Sequence, residues 1–476
     1  MLFNSPQYLI FLPVAFLAYF VVGQRHRWLV LLFVSLIFYA FLQAPYLLGA
    51  LGGVTVVSYV AGRRMAHAGG SHRRRIMQAA VAANLLLLFL MRYLPLLTAR
   101  AWPAGRHLVT IGVSYYVFQA ISYVVDIYME VEPPEPHFGH FALYLAFFPK
   151  LLQGPIERAG SLLPQLKSLE VPSLDRFRSG IMLIVGGLFK KMVIADRLGL
   201  VVDPVFLNVR AYSGPIYLLA IYGYALQIYF DFSGYTDIAL GTARLFNIEL
   251  TPNFNAPYMA RNIAEFWRRW HISFSRWILD YIFKPLQIQW RDGGKWGSAA
   301  ALLVTFLLSG LWHGATWGFL IWGGLHGLYL GVSLFYKSRQ KKLHATLGLA
   351  GSPALAAWQV FFTFNLVSLA WLFFRANALS DAFHILAHLF ERPTGWPALA
   401  SAIEGAAESG SLVQEMAVLV VSIGILAGFG KVGAKRFAQV FFHWTPWLRF
   451  AFYYVVVMFL VFFGYFTKQA FAYVRF

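Results

Sequence analysis

An all-α, polytopic integral membrane protein is what the sequence predicts, and three observations carry that expectation. Apolar runs recur in every region of the chain. Hydrophobic residues make up 59% of the 476 positions and charged residues only 12%, where soluble proteins carry about 25%. The positive residues sit in short clusters between the apolar runs. Mean hydropathy is +0.60. No hydrophilic block is long enough for a separate soluble domain, so residues 1–476 read as one membrane-embedded unit.

In chain order, the runs fall near 8–23, 28–43, 45–61, 78–99, 108–126, 138–153, 179–195, 213–230, 298–311, 314–336, 353–374, 411–430 and 447–467. A helical crossing takes about 20 apolar residues. Several runs are shorter or are broken by Gly or Pro. Roughly 11 to 14 helices are therefore expected, some of them re-entrant or interfacial. The first run lacks a basic leader and a small-residue cleavage site, so it reads as a retained span. No internal repeat is evident, which counts against an inverted-repeat transporter.

The net charge of +19 comes from clusters at 25–27, 63–75, 190–197, 268–269, 337–342 and 431–436. Short clusters beside apolar runs are the pattern of cytoplasmic loops. They would also attract anionic membrane lipids. A nucleic-acid partner would call for long basic stripes instead. With no cysteine in the chain, disulfides, thiolate metal sites and covalent thiol chemistry are excluded. No metal-ligand spacing, P-loop, GxSxG or dinucleotide fingerprint is present, so neither a metal nor a bound cofactor is expected.

Residues 229–297 have a different texture. Phe266, Trp270, Phe274, Trp277 and Tyr281 recur at helical spacing, which predicts one amphipathic helix over 265–284 lying at the interface. Arg276, Asp280 and Lys284 are spaced so that one carboxylate can bridge two cations. Asp231 and Asp237 are carboxylates among apolar residues. They read either as buried partners of arginines such as Arg244 or Arg268, or as proton carriers. In the segment from Phe148 to Glu157, two prolines and a glycine break helix where Lys150 could meet an anion or snorkel.

Three histidines stand out. His313 lies in an apolar stretch, between bulky Trp312 and Gly314, which admits close approach. Imidazole there reads as a general base or as a packing group bonded to a neighbouring helix. His326 follows 13 positions on. On one straight helix the two rings would be about 140° and roughly 20 Å apart, so they share no site unless the helix breaks. His326 reads as a packing histidine. His271 follows Arg268 and Arg269, whose charge favours a neutral imidazole, and it reads as a base or hydrogen-bond donor, or as an interfacial histidine among lipid headgroups.

These segments together resemble the membrane-bound O-acyltransferase (MBOAT) family, and within it the bacterial polysaccharide branch typified by the alginate O-acetylation membrane subunit. The resemblance rests on Trp312-His313-Gly314 and Trp322-Gly323-Gly324-Leu325-His326-Gly327. It rests also on Gly154-Pro155-Ile156-Glu157-Arg158, Asp231 to Asp237, Glu265 to Ser273, Trp371 to Ala376, and Phe3-Asn4-Ser5. It spans nearly the whole chain. One segment departs from the branch: Lys284-Pro285-Leu286-Gln287 stands where Pro-Leu-Gly-Gly is common.

The resemblance implies a helical bundle around a central funnel and transfer of an acetyl or similar short acyl group. It implies that His313 is the general base and that His271 orients it or stabilises the oxyanion. Trp312, Gly314, Arg269, Asp231 and Asp237 would support the site, while Lys150, Asn255 and Trp270 would contact substrate. The implied donor is cytoplasmic, with acetyl-CoA the candidate. The implied acceptor is an exported polysaccharide, reached directly or through a periplasmic acyl-relay protein. Peptidoglycan O-acetylation and teichoic-acid D-alanyl transfer are variants on the same fold. The implied location is multi-pass in a bacterial inner membrane. A proton-coupled transporter and an export scaffold are the alternatives from other classes.

Overall fold

A computed structural model describes residues 1–93, 110–407, 411–432, 441 and 443–465. The regular elements are all helices, with no strand among the described residues. Among the described residues, six segments are long and apolar enough to cross a membrane: Pro45–Met65, Gly70–Arg92, Arg291–His313, Trp317–Thr346, Pro353–Arg375 and Pro446–Phe463. Proline opens many of the helices, where its missing N–H costs nothing. At Pro353 the preceding Ser352 hydroxyl also accepts the Leu355 N–H at 3.2 Å. The basic cluster at 431–436 and the apolar residues 94–99 and 466–467 fall largely outside the described residues.

The core is organised around the Pro215–Leu245 helix, 31 residues long and buried on nearly every side. It packs against Leu174–Leu188 through two glycine pairs in matching register. A Cβ on Gly187 would lie 2.5 Å from the Gly234 carbonyl, and one on Gly180 would lie 2.8 Å from that of Gly241. Only glycine lets the two backbones approach this closely. Past Leu188 the helix widens into a π-turn over Phe189–Ala195.

That turn corrects one expectation. The 190–197 basic cluster is not a loop: Lys191 is 1% exposed, and its ammonium donates to Asp196 and Asp231 at 2.7 Å each. Lys190 donates to Asp237 at 2.6 Å, and Arg197 to Glu415 at 2.7 Å. Asp231 and Asp237 therefore pair with lysines, not with Arg244 or Arg268. The π-turn brings consecutive lysines onto two carboxylates of the same central helix, which regular helical spacing does not do.

The 265–284 segment is likewise not one helix. It divides into Ile263–Arg269 and Ile272–Ile278, followed by a π-turn at Leu279–Phe283. The break comes at Trp270–His271. Asp280 does bridge two cations, but they are Lys284 at 2.7 Å and Arg158 at 3.2 Å, not Arg276.

The two segments on either side of Gly314 form an antiparallel hairpin, Gly294–His313 and Trp317–Thr346. Gly310 and Gly323 face each other across it. The other long hairpin, Pro45–Met65 with Gly70–Arg92, carries Arg63, Arg64, Arg73, Arg74 and Arg75 at its turn. The open end of that hairpin meets the turn of the first. Arg92 donates to the His313 carbonyl at 2.6 Å, and the Tyr93 hydroxyl to that of Leu311 at 2.6 Å. Arg63–Arg75, Lys295 and Lys337–Lys342 thus lie toward one membrane face, and His313 toward the other.

Candidate active site around His313

His313 is the last residue of its helix. Gly314 leaves the helix in an extended conformation, and a Cβ there would lie 2.5 Å from the Phe319 ring. The Arg92 guanidinium caps the His313 carbonyl, one of those left over at any helix C-terminus. The imidazole is 4% exposed and sits in an aromatic box. Ring centroids lie at 4.4 Å for Trp312, 5.0 Å for Trp322 and 5.1 Å for Phe374.

His271 is held differently. Its φ of +42° is in the left-handed region, which costs a non-glycine residue about 1–2 kcal/mol. The surrounding bonds hold it there. The Ile272 N–H donates to the Asn253 carbonyl at 3.0 Å. The Ser273 hydroxyl donates to Asn253 Oδ1 at 2.7 Å, and the Ile156 N–H donates to that hydroxyl at 3.0 Å. Glu157 locks the same clamp by accepting the Thr251 hydroxyl at 3.1 Å. Strain of this kind, over-determined by its neighbours, is concentrated at functional sites.

The two histidines share walls. Phe274 lies 5.1 Å from His271 and 6.3 Å from His313. Trp312 lies 6.5 Å and 4.4 Å from them, centroid to centroid. The helix break at Gly314 also brings His326 near. Its ring is 5.2 Å from Trp322, which touches His313 on the other side. His326 Nδ1 accepts the Trp267 indole N–H at 3.2 Å. His326 therefore braces the aromatic box from the second arm of the hairpin.

A narrow crevice reaches His313, with about 30 Å³ of free volume, room for one or two water-sized groups. Arg92, Ser114, Tyr115, Gln153, Trp312 and His313 line it. Among the described residues, the Tyr115 hydroxyl, the Trp312 indole N–H and both amide atoms of Gln153 make no hydrogen bond, although all are buried. Such groups cost free energy. Here they offer donors and an acceptor beside an imidazole that can take a proton.

Of the other residues expected at the site, only Trp312 lines the crevice. Gly314 shapes the helix end. Trp270 is a packing residue, with Phe254 at 5.0 Å and Trp371 at 5.1 Å. Arg269 pairs with Glu265 at 2.7 Å. Asn255 is exposed and accepts through its carbonyl from Arg269. Lys150 points inward, bonded to Gln119 Oε1 and lying 5.1 Å from the Tyr144 ring. Burial pulls its pKa down to about 7. Asp231 and Asp237 belong to the lysine pairs. Arg92, Tyr115, Gln153 and Asn253 were not singled out from the sequence. A lone arginine inside the 78–99 apolar run was the signal available for Arg92.

Residues 129–374, which include both His271 and His313, match the sequence model of the MBOAT, membrane-bound O-acyltransferase family. The peptidoglycan O-acetyltransferase of Helicobacter pylori is 34% identical over 430 residues, spanning 81% of this chain and 79% of that protein. The probable alginate O-acetylase AlgI of Pseudomonas aeruginosa is 34% identical over 411 residues, spanning 82% and 75%. A teichoic acid D-alanyltransferase of Streptococcus thermophilus is 29% identical over 283 residues, spanning 56% and 68%.

Proposed function

This chain belongs to the membrane-bound O-acyltransferase family and is an acyltransferase, and from that premise we propose that it moves an acetyl or similar short acyl group from a cytoplasmic thioester to a hydroxyl on the opposite side of the inner membrane. The reading rests on one observation. His313 lines a crevice in which the Tyr115 hydroxyl, the Trp312 indole N–H and the Gln153 amide are buried and make no hydrogen bond among the described residues.

His313 acts as general base. The acceptor oxygen attacks the acyl carbonyl as its proton passes to the imidazole. The tetrahedral intermediate then collapses, and the same proton leaves on the departing thiolate. Tyr115 and Trp312 supply donors near the developing oxyanion. His271 orients the site through Phe274 and Trp312. Acetyl-CoA fits as donor because the basic face, by the positive-inside rule, is cytoplasmic. The crevice opens on the other face, where a polysaccharide, peptidoglycan or a relay protein would present the hydroxyl. The relatives named for alginate and peptidoglycan acetylation favour a glycan acceptor. A proton pathway is disfavoured, because Asp231 and Asp237 are closed onto lysines.

Sided proteoliposomes test this. Labelled acetyl-CoA added at the basic face should yield acetyl esters on an acceptor glycan, or on a relay protein, at the other face. Transfer seen only when donor and acceptor share the crevice face would overturn the assignment of sides.

A further inference from the structure

Away from His313, at the basic face, a groove of about 620 Å³ runs between the Trp317–Thr346 and Pro353–Arg375 helices. Its walls are apolar and open: Leu328 is 54% exposed, Val332 48%, Trp358 58% and Phe362 50%. At its outer end stand Lys337, Lys341 and His344, and Arg261 lines it as well. No acidic side chain lines it among the described residues. From Leu328 to His344 the helix rises roughly 24 Å, so the wall passes from membrane depth to a cationic rim.

We propose that this groove is a binding site for an anionic glycerophospholipid. Its acyl chain lies along Val332, Trp358 and Phe362, and its phosphate meets Lys337 and Lys341. Charge complementarity selects the ligand. A neutral zwitterionic lipid would leave the cationic rim uncompensated, whereas the cytoplasmic leaflet is the anionic one. The two-part character also matters. A free phosphate would not cover the apolar walls, whose exposure is costly wherever lipid tails do not reach. The site lies on the arm that carries His326 and Trp322, so an occupant braces the second half of the histidine hairpin. The inference does not depend on the acyl-transfer reading.

Native mass spectrometry of the full chain released from nanodiscs tests it. The discs contain phosphatidylcholine with a minor share of phosphatidylglycerol. The wild type should retain phosphatidylglycerol well above its share. Lys337→Gln with Lys341→Gln should reduce that retention on the order of tenfold. Val332→Trp, which fills the wall and leaves the charges in place, should reduce it too. Lys295→Gln, on the same face but outside the groove, should not. Retention unchanged in the double lysine variant, or phosphatidylcholine retained equally, would overturn the proposal. Displacement of the lipid by coenzyme A would also overturn it, assigning the cationic rim to the soluble donor's phosphates instead.

Discussion

Two buried polar regions of this protein are built in opposite ways. Around the π-turn, Lys190, Lys191 and Arg197 each meet a carboxylate on another helix or another turn. Around His313, buried hydrogen-bonding groups of Gln153, Tyr115 and Trp312 have no bonding partner among the described residues. Inside a membrane protein both arrangements are expensive to build. The first recovers its cost in interhelical contacts. The second places its unbonded groups beside the proposed base, His313. Under that proposal the contrast separates polar groups that hold the bundle from those that serve the reaction.

Substitutions in the two regions should therefore move different observables. The largest effect belongs to Lys191→Met. It removes the ammonium that Asp231 and Asp196 share in the core, a loss of about 3–5 kcal/mol, and should appear as a collapse in folded membrane protein. A variant of normal abundance and thermal stability would erase the contrast from its structural side. Next is His271→Asn, which tolerates the left-handed backbone but removes the ring. Acyl transfer should fall on the order of a hundredfold with the melting temperature nearly unchanged. An equal loss of folding would make His271 a packing residue.

Gln153→Leu sharpens the comparison from the other side. Removing an unbonded buried amide should leave stability level or slightly raised, while transfer falls about tenfold. A destabilised, fully active variant would mean that Gln153 serves the fold. The smallest effect concerns Lys150, in the short Phe148–Leu151 turn outside the six candidate crossings. Its folded pKa, about 7, lies below the unfolded value. The unfolded chain thus binds more protons between the two, and stability from this group rises with pH above 7. Thermal scans should show that rise in wild type, and Lys150→Met should flatten it.

The sequence exposed the second region better than the first. His313 stood out as a titratable ring between apolar runs, flanked by tryptophan and glycine, and read there as a base or as a packing group. His271 stood out beside Arg268 and Arg269 on the aromatic stripe, and that stripe is buried, although Phe266 and Phe274 belong to two helices. The lysine pairs were not legible. A basic cluster beside an apolar run normally faces solvent, and only the π-turn and the glycine-mediated contact with the central helix turn it inward. Arg92 was hidden because its partner carbonyl is 221 positions away. Asn253 was passed over for Asn255 because the choice depends on pairing with Ile272 across the fold, which local composition does not encode.

The central claim, that His313 is the base, is tested most directly by glycan acetylation in cells producing His313→Ala at wild-type membrane abundance. The account predicts that O-acetyl esters fall by about a hundredfold or more while the glycan is still made and exported. Esters retained near the wild-type level would contradict it.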